Sequence, residues 1–401
     1  MIAFIFWLSV GIIFYTYLGY PVLIALLAKL RPEQAYSGGN EPSITLLIAA
    51  YNEEACIEAR LFNALSMEYP KDKIQILVAA DGSDDRTTEI VSRFKQKGVE
   101  LSYQPERRGK SAAIDRAMSM VTGEIVVFSD ANNMYAPMTL RNLVLPFGDP
   151  KVGVVSGAKH ILKEGGALGV SEGLYWKYES FIKRQESRLS SCIGVSGEIF
   201  AIRRSCYLPT SNSIINDDTN ISMNILNRGF SIVYAPEAVS YENVSLTAQD
   251  EITRRTKISA GRYQAISKSY KVNPFIHPIL FWQIFSHKIL RLVIPFAMIA
   301  AFLANFVSLF AHSEIKSTSI FDLLWPKNWL FFIGQLLFYL VAMFGNLIMP
   351  KGKLGKILYL PTFLLNSNIA SFKGFLQFFT KKENELWKRV PRYGERQEKR
   401  E

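Results

Sequence analysis

The stretch EIVVFSDANN, Glu124 to Asn133, decides the fold. Its apolar residues 125–128 read as a buried strand, and residues 131–137, closed by Pro137, cannot continue it. Asp130 therefore stands at a strand's C-terminal edge, where open α/β sheets bind their ligands. Asn132 adds an amide oxygen two residues on. Hard divalent cations take carboxylate and amide oxygens, and Mg²⁺ keeps positions open for substrate phosphates. The pair reads as a metal and nucleotide-diphosphate site, set against the plainer reading of an acidic strand end beside a surface turn.

The same pattern recurs upstream. Residues 44–50 (ITLLIAA) read as a buried strand, followed by Tyr51, Asn52, Glu53, Glu54 and a helix to about Leu65. Asn52 is placed to cap that helix, and the glutamates favour the positive end of its dipole. Residues 74–80 form a second strand that ends in Asp81-Gly82-Ser83-Asp84-Asp85 before a helix to about Lys97. Strand, acidic glycine-containing turn and helix is the order of a nucleotide-binding half-sheet, so the fold class is α/β with a mostly parallel sheet. Neither strand is followed by G-x-G-x-x-G, which leaves Asp81 to accept hydrogen bonds from a ribose or a base edge. A third strand, 99–104, leads to Arg107-Arg108-Gly109-Lys110-Ser111 and a helix to Met120. This Gly-Lys-Ser lacks the upstream glycine of a P-loop, yet its cations can meet phosphates, or form a solvated basic turn.

Downstream, residues 152–156 read as another strand and residues 171–191 as an amphipathic helix whose Tyr175, Trp176, Tyr178 and Phe181 form a core-facing stripe or, second to that, a lipid or acceptor contact. The small residues of Ile193-Gly194-Val195-Ser196-Gly197-Glu198 admit a ligand close to the backbone. Asn216-Asp217-Asp218-Thr219 opens a helix that Gly229 can close. Two adjacent aspartates cannot both cap its start, so one is free to enter the cleft as an ionised general base. Arg254, Arg255, Lys257 and Arg262 cluster on a helix over 249–269, to hold a diphosphate or to sit on anionic headgroups.

The chain has 401 residues and a formal net charge of +11, concentrated beside apolar segments. That placement suits an anionic membrane surface; no DNA or RNA motif is present, which argues against nucleic acid. Cys56, Cys192 and Cys206 are odd in number and lack ligand spacing, which suggests a reducing compartment without a disulfide framework. Residues 2–28 carry no charge, long enough to cross a bilayer, and Lys29 and Arg31 follow. This reads as an uncleaved anchor with its basic end in the cytoplasm. Further apolar segments cover about 288–310, 329–349 and 354–379. The last is broken by Asn366, Ser367, Asn368 and Lys373, and basic residues flank both its ends. It is expected to be re-entrant or interfacial.

Together these motifs resemble the membrane-bound glycosyltransferases of family 2, relatives of the cellulose, chitin and hyaluronan synthases, with a GT-A fold. Tyr17-Leu18-Gly19-Tyr20-Pro21 looks like their anchor signature, and Ala50-Tyr51-Asn52-Glu53-Glu54 and Asp81-Gly82-Ser83-Asp84-Asp85 look like their first two nucleotide-binding turns. The resemblance implies that Asn52, Glu53, Asp81, Lys110 and Asp130 bind the donor, with Arg254, Arg255 or Lys257 compensating its charge. Asp130-Ala131-Asn132 stands where the family carries its metal-binding Asp-x-Asp, which implies Mg²⁺ or Mn²⁺ on Asp130 and Asn132. Ser196, Gly197 and Glu198 resemble the acceptor-side loop, and Asp217-Asp218-Thr219 resembles the Glu-Asp that opens the acceptor helix, which makes Asp218 the base. Two positions depart: Asn132 replaces an acid, and the processive members' Gln-x-x-Arg-Trp is absent.

The implied activity is inverting transfer of a hexosyl or N-acetylhexosaminyl group from a nucleotide-sugar donor, UDP-sugar foremost. The acceptor would be a lipid-linked or glycan hydroxyl, in cell-surface glycan or exopolysaccharide synthesis. Membrane lipids and polysaccharide-assembly proteins are the implied partners, and the implied location is the inner membrane, multi-pass, with the catalytic domain cytoplasmic. A non-catalytic assembly subunit and a polyprenyl-phosphate sugar transferase are the alternatives. The expected plan is an anchor (1–30), a linker (31–42), a cytosolic GT-A domain (43–247), basic interfacial helices (248–285), a transmembrane or re-entrant region (286–380) and a basic tail (381–401).

Overall fold

The charge-free N-terminal run forms one continuous helix, α1 (Ile2–Phe14) and α2 (Tyr20–Ala28), joined by a π turn. The computed structural model describes residues 1–33, 36, 41–162, 166–211, 214–245, 247–310, 319, 321–348 and 352–380; part of the linker, Lys351 and the basic tail lie outside them. Beyond the linker, strands and helices alternate as β1 (Ile44–Ala50), α3 (Ile57–Leu65), β2 (Ile74–Asp81), α4 (Thr87–Arg93), β3 (Val99–Gln104), α5 (Lys110–Met118) and β4 (Ile125–Asp130). Next come β5 (Asn133–Tyr135), α6 (Thr139–Val144), β6 (Val152–Ile161), α7 (Gly166–Leu189), β7 (Phe200–Arg203), α8 (Asp217–Asn227) and β8 (Ser231–Glu242). The chain continues through α9 (Ala248–Lys268), α10 (Pro278–Ile284), α11 (Leu290–Ser308), α12 (Lys327–Ile348) and α13 (Gly352–Phe379).

The eight strands form one mixed sheet in the order β3-β2-β1-β4-β7-β6-β8-β5. Strands β1 to β4 are mutually parallel, while β7 and β5 run against their neighbours. Successive side chains of a strand point to opposite faces. Ile44, Leu46 and Ile48 thus pack with Ile57 and Leu61 of α3, while Leu47 joins Ala113, Ile114 and Ala117 of α5 on the other side. Burial on both faces is why these strands read as unbroken apolar runs. The strand order turns back between β1 and β4, so their C-terminal ends open a crevice, and Asp130 pairs with Ala49 at its floor.

Three helices are long and apolar enough to cross a membrane: Ile2–Ala28, Pro278–Ser308 and Lys327–Gly345. Among the described residues α13 does not meet that measure. It packs along α9, with Gly374 against Ser259 and Thr256 and Phe375 against Tyr263. The sheet domain is tied to the membrane-length helices through α7. Glu186 accepts from the Tyr20 hydroxyl (2.6 Å) and contacts His287 Nδ1 (2.7 Å), while Glu179 pairs with Arg291 and lies 3.2 Å from His287 Nε2.

Candidate active site

Loops that brace one another build the crevice. Asn52 takes a left-handed backbone (φ 53°), which Asn tolerates. Its amide donates to Asp84 Oδ1 (2.5 Å), and its Oδ1 accepts from the Asp84 N–H (3.1 Å). The N–H groups of Glu53 and Glu54 donate to Thr87 Oγ1 (2.8 Å) and Asp85 Oδ2 (3.0 Å). The expected cap at Asn52 is therefore corrected: α3 begins after Cys56, and Asn52 is drawn instead to the second acidic turn.

Asp81, buried at the end of β2, accepts from the N–H groups of Arg108 (2.8 Å) and Gly109 (2.9 Å) and lies 4.0 Å from Arg107 Nε. Gly82 at φ 61° permits that approach, since a Cβ there would stand 2.7 Å from Arg107 N. The Arg107 guanidinium covers the Tyr51 ring at 3.7 Å. In this arrangement Asp81 anchors the loop that delivers Lys110.

Lys110 is the meeting point of the site. Its Nζ lies 2.7 Å from Asp130 Oδ1 and 3.8 Å from Asp217 Oδ2. Burial works against its charge, but Asp130 and Asp217, with Asp218 behind them, outweigh burial and hold the ammonium above its ordinary value. The carboxylates at the end of β4 and the start of α8 therefore face one crevice, lined also by Ala49, Ser129 and Gly197.

Asp218 does not cap α8; Asn216 takes that position and donates from its amide to the Ile258 carbonyl on α9 (3.1 Å). Asp218 Oδ1 accepts from the Thr219 N–H (2.7 Å), and Gly197 comes so close that a Cβ on it would be 3.0 Å from Asp218 Oδ2. The Asp218 carboxyl is pushed up to about 6, first by burial and then by Asp217, against the Thr219 N–H and Lys110. Such a group is ionised at neutral pH yet basic enough to take a proton.

Among the described residues, no three His, Cys, Asp or Glu side chains gather as a metal cluster. Asn132 Oδ1, however, is buried without a hydrogen-bond partner. An orphaned amide oxygen next to a half-exposed carboxylate is a hard-oxygen donor pair, which fits Mg²⁺ or Mn²⁺ completed by phosphate and water.

Across the crevice from Asp130, in the loop before β7, Ser196 Oγ accepts from Lys183 Nζ (2.8 Å). The Glu198 carbonyl receives the Asn133 amide (3.1 Å) and the Tyr135 hydroxyl (2.9 Å). Its carboxylate lies 3.4 Å from Lys159 Nζ; burial pushes the carboxyl up, but Lys159 outweighs it and the value falls below the ordinary one. Arg254 and Arg255 are placed differently from expectation. Both close on Glu251 (2.7 Å each), and Arg255 also reaches Glu172 (2.6 Å). Buried carboxylates require paired cations, so these guanidinium groups are committed within the protein and do not stand free for a diphosphate. Lys257, further along α9, is half-buried.

One residue escaped the sequence reading. Arg60 is wholly buried, donates to Ser129 Oγ from Nε (3.2 Å) and Nη2 (3.0 Å), and lies over the Tyr135 ring at 4.5 Å, which fixes the strand end that carries Asp130. Its signal was an arginine on the apolar stripe of α3, between Ile57 and Leu61.

The model of glycosyl transferase family 2 matches residues 45–208, the span from β1 to just past β7. Residues 45–208 are a family 2 glycosyltransferase domain. The chain is 26% identical over 249 residues to a probable glycosyltransferase of Bacillus subtilis, covering 57% of each protein. It is 26% identical over 255 residues to the poly-β-1,6-N-acetyl-D-glucosamine synthase of Staphylococcus aureus, covering 61% of each. The match thus spans about three fifths of these relatives' length. Among solved structures, a mannosyltransferase from Pyrobaculum calidifontis in complex with GDP-Man and Mn²⁺ superposes with a TM-score of 0.71 at 23% identity, over 95% of this chain and all of that one. The family 2 domain has the GT-A fold, with membrane-length helices before and after it.

Proposed function

We propose that this family 2 glycosyltransferase moves a sugar with inversion from a nucleotide diphosphate, UDP-sugar foremost, to a hydroxyl of a lipid-linked or growing glycan. The observation that carries the reading is Lys110, whose one ammonium joins the Asp130 carboxylate to Asp217 and so sets the donor end of the crevice against the acceptor helix. The acceptor hydroxyl lies between Gly197 and Asp218. Asp218 takes its proton, the oxygen forms a bond to the anomeric carbon from the face opposite the diphosphate, and the carbon–oxygen bond to the diphosphate breaks. Lys110 remains beside the departing diphosphate and offsets its charge. A Mg²⁺ or Mn²⁺ ion on Asp130 and Asn132 would supply further neutralisation of the diphosphate when bound. Asn52, Glu53 and Asp81 shape the nucleotide end, and Ser196 and Glu198 the acceptor end.

In this reading the three membrane-length helices cross the inner membrane, α9 and α13 lie at its cytoplasmic face and the crevice opens to the cytoplasm; the length and apolar composition of those helices support it. The S. aureus relative's name, a polysaccharide synthase, supports a glycan product. Purified protein supplied with labelled nucleotide sugars and a lipid-linked glycan should transfer label and release nucleoside diphosphate, and EDTA should suppress both. Absence of turnover with every donor would favour the non-catalytic assembly role.

A further inference from the structure

We infer that the acceptor is a sugar carried on a lipid phosphate, and that Lys183, Arg262 and Lys288 form the site for that phosphate beside the acceptor loop. The inference rests on the transfer reading above and adds the chemical class of its acceptor.

Gly194 is where the cations converge. A Cβ on it would stand 2.5 Å from Lys288 Nζ and 3.8 Å from Lys183 Cε, so both lysines lie over its backbone. Lys183 is 4% exposed and comes from α7, while Lys288 comes from the π turn that joins α10 to α11. Arg262 of α9 lies within electrostatic range of Lys288. The carboxylates in range of Lys288 are Glu179 and Glu186, and both are engaged, the first by Arg291 and His287 and the second by Tyr20 and His287. Among the described residues Arg262 and Lys288 take part in no ion pair. Lys183 donates to Ser196 Oγ and faces the Trp176 and Tyr234 rings, and the carboxylates near Lys288 are shared with Arg291 and His287, so a further anion would offset charge that these partners only partly compensate.

Depth identifies the anion's source. The element Pro278–Ser308 has 31 residues, about 46 Å of helix against a hydrocarbon core of about 30 Å, so its first ten or so residues lie at headgroup level. Lys288 follows that stretch, and Phe281 and Phe285, exposed and stacked at 6.2 Å, lead up to it as a surface for a hydrocarbon chain. Gly194 and Gly197, which touches Asp218, are three Cα steps apart, a reach of at most about 10 Å. That length takes a single sugar ring, with its phosphate on the cations and a hydroxyl at Asp218. The phosphate ester is not broken in the transfer; the hydroxyl proton passes to Asp218 and the nucleoside diphosphate leaves.

The test uses the full chain in phosphatidylcholine nanodiscs, with a polyprenyl diphosphate as probe. Loss of one charge-assisted contact weakens binding by about tenfold, so Arg262→Gln with Lys288→Gln should raise the probe's Kd by about a hundredfold while nucleoside-diphosphate binding holds, and Lys288→Arg should restore its part. An unchanged Kd overturns the site. Equal loss of affinity for phosphatidylglycerol vesicles also overturns it, since the cations would then serve bulk anionic lipid. If the double variant fails to fold, the wild-type chain must still prefer the polyprenyl diphosphate to the uncharged polyprenol by at least tenfold; equal affinity refutes the proposal. Transfer without this preference sinks the lipid phosphate alone, and the preference without transfer from any nucleotide sugar sinks the proposed function alone.

Discussion

Replacing Asp218 by Asn should slow transfer and stabilise the fold at once. Moving this carboxyl from 3.8 to about 6 means that keeping it ionised costs about 3 kcal/mol. The sign follows from proton linkage. The folded state holds the proton more tightly than the unfolded chain, so the cost is absent below about pH 4, grows between about pH 4 and 6, and is complete above. The amide of the Asp218→Asn variant would keep the Thr219 N–H bond but forgo the attraction to Lys110, which leaves a net gain of about 1–2 kcal/mol at pH 7.5. Turnover at saturating substrate should drop by about 10²- to 10⁴-fold, the contribution of a positioned base. In the wild type, kcat/KM should fall tenfold per pH unit below about pH 6. Denaturation of both proteins at pH 4 and pH 7.5, with initial rates of nucleoside-diphosphate release, checks each part. A variant with wild-type turnover, or one no more stable than wild type at pH 7.5, refutes the reasoning.

Gly197→Ala places a methyl 3.0 Å from Asp218 Oδ2 and should cost about tenfold in kcat with a melting temperature little changed, a split that enzyme kinetics and thermal denaturation resolve. Gly82→Ala meets Arg107 N at 2.7 Å from a positive-φ backbone and should destabilise the protein by about 1–3 kcal/mol and raise the KM for donor, measured by denaturation and donor titration. Lys110→Met leaves Asp130, Asp217 and Asp218 facing one another, so the acid limb of the pH–rate profile should move to higher pH and stability at pH 7.5 should fall. Asn132→Asp restores a second carboxylate and should lower the Mn²⁺ concentration for half-maximal activity by about tenfold after EDTA treatment.

Much of this architecture was legible because strands buried on both faces leave unbroken apolar runs. Residues 44–50 and 99–104 are strands at the expected bounds, and Asp130 ends β4 as its sequence required. Helix α8 begins at Asp217, and Gly229, at φ 92°, follows its end. What escaped depends on partners distant in sequence. Asn52 looks like a cap locally, but the second turn, about thirty residues on, captures it. Arg254 and Arg255 look like phosphate ligands until Glu172, on another helix, is placed beside them. The three-residue strand β5 has no periodicity of its own and exists because β8 offers an edge. Lys183 and Lys288 carry no motif, and only the fold sets both over Gly194.

The two partners of Glu186 lie on opposite sides of it in the sequence, Tyr20 at 166 residues before and His287 at 101 residues after. A ribosome adds about 5–20 residues per second, so about 5–20 s pass between synthesis of this glutamate and of the imidazole that completes its surroundings. During that interval the nascent sheet domain holds a carboxylate with one of its two partners still unmade. Completion of this junction is thereby ordered: the membrane-length helix Pro278–Ser308 must begin to form before Glu186 has both partners.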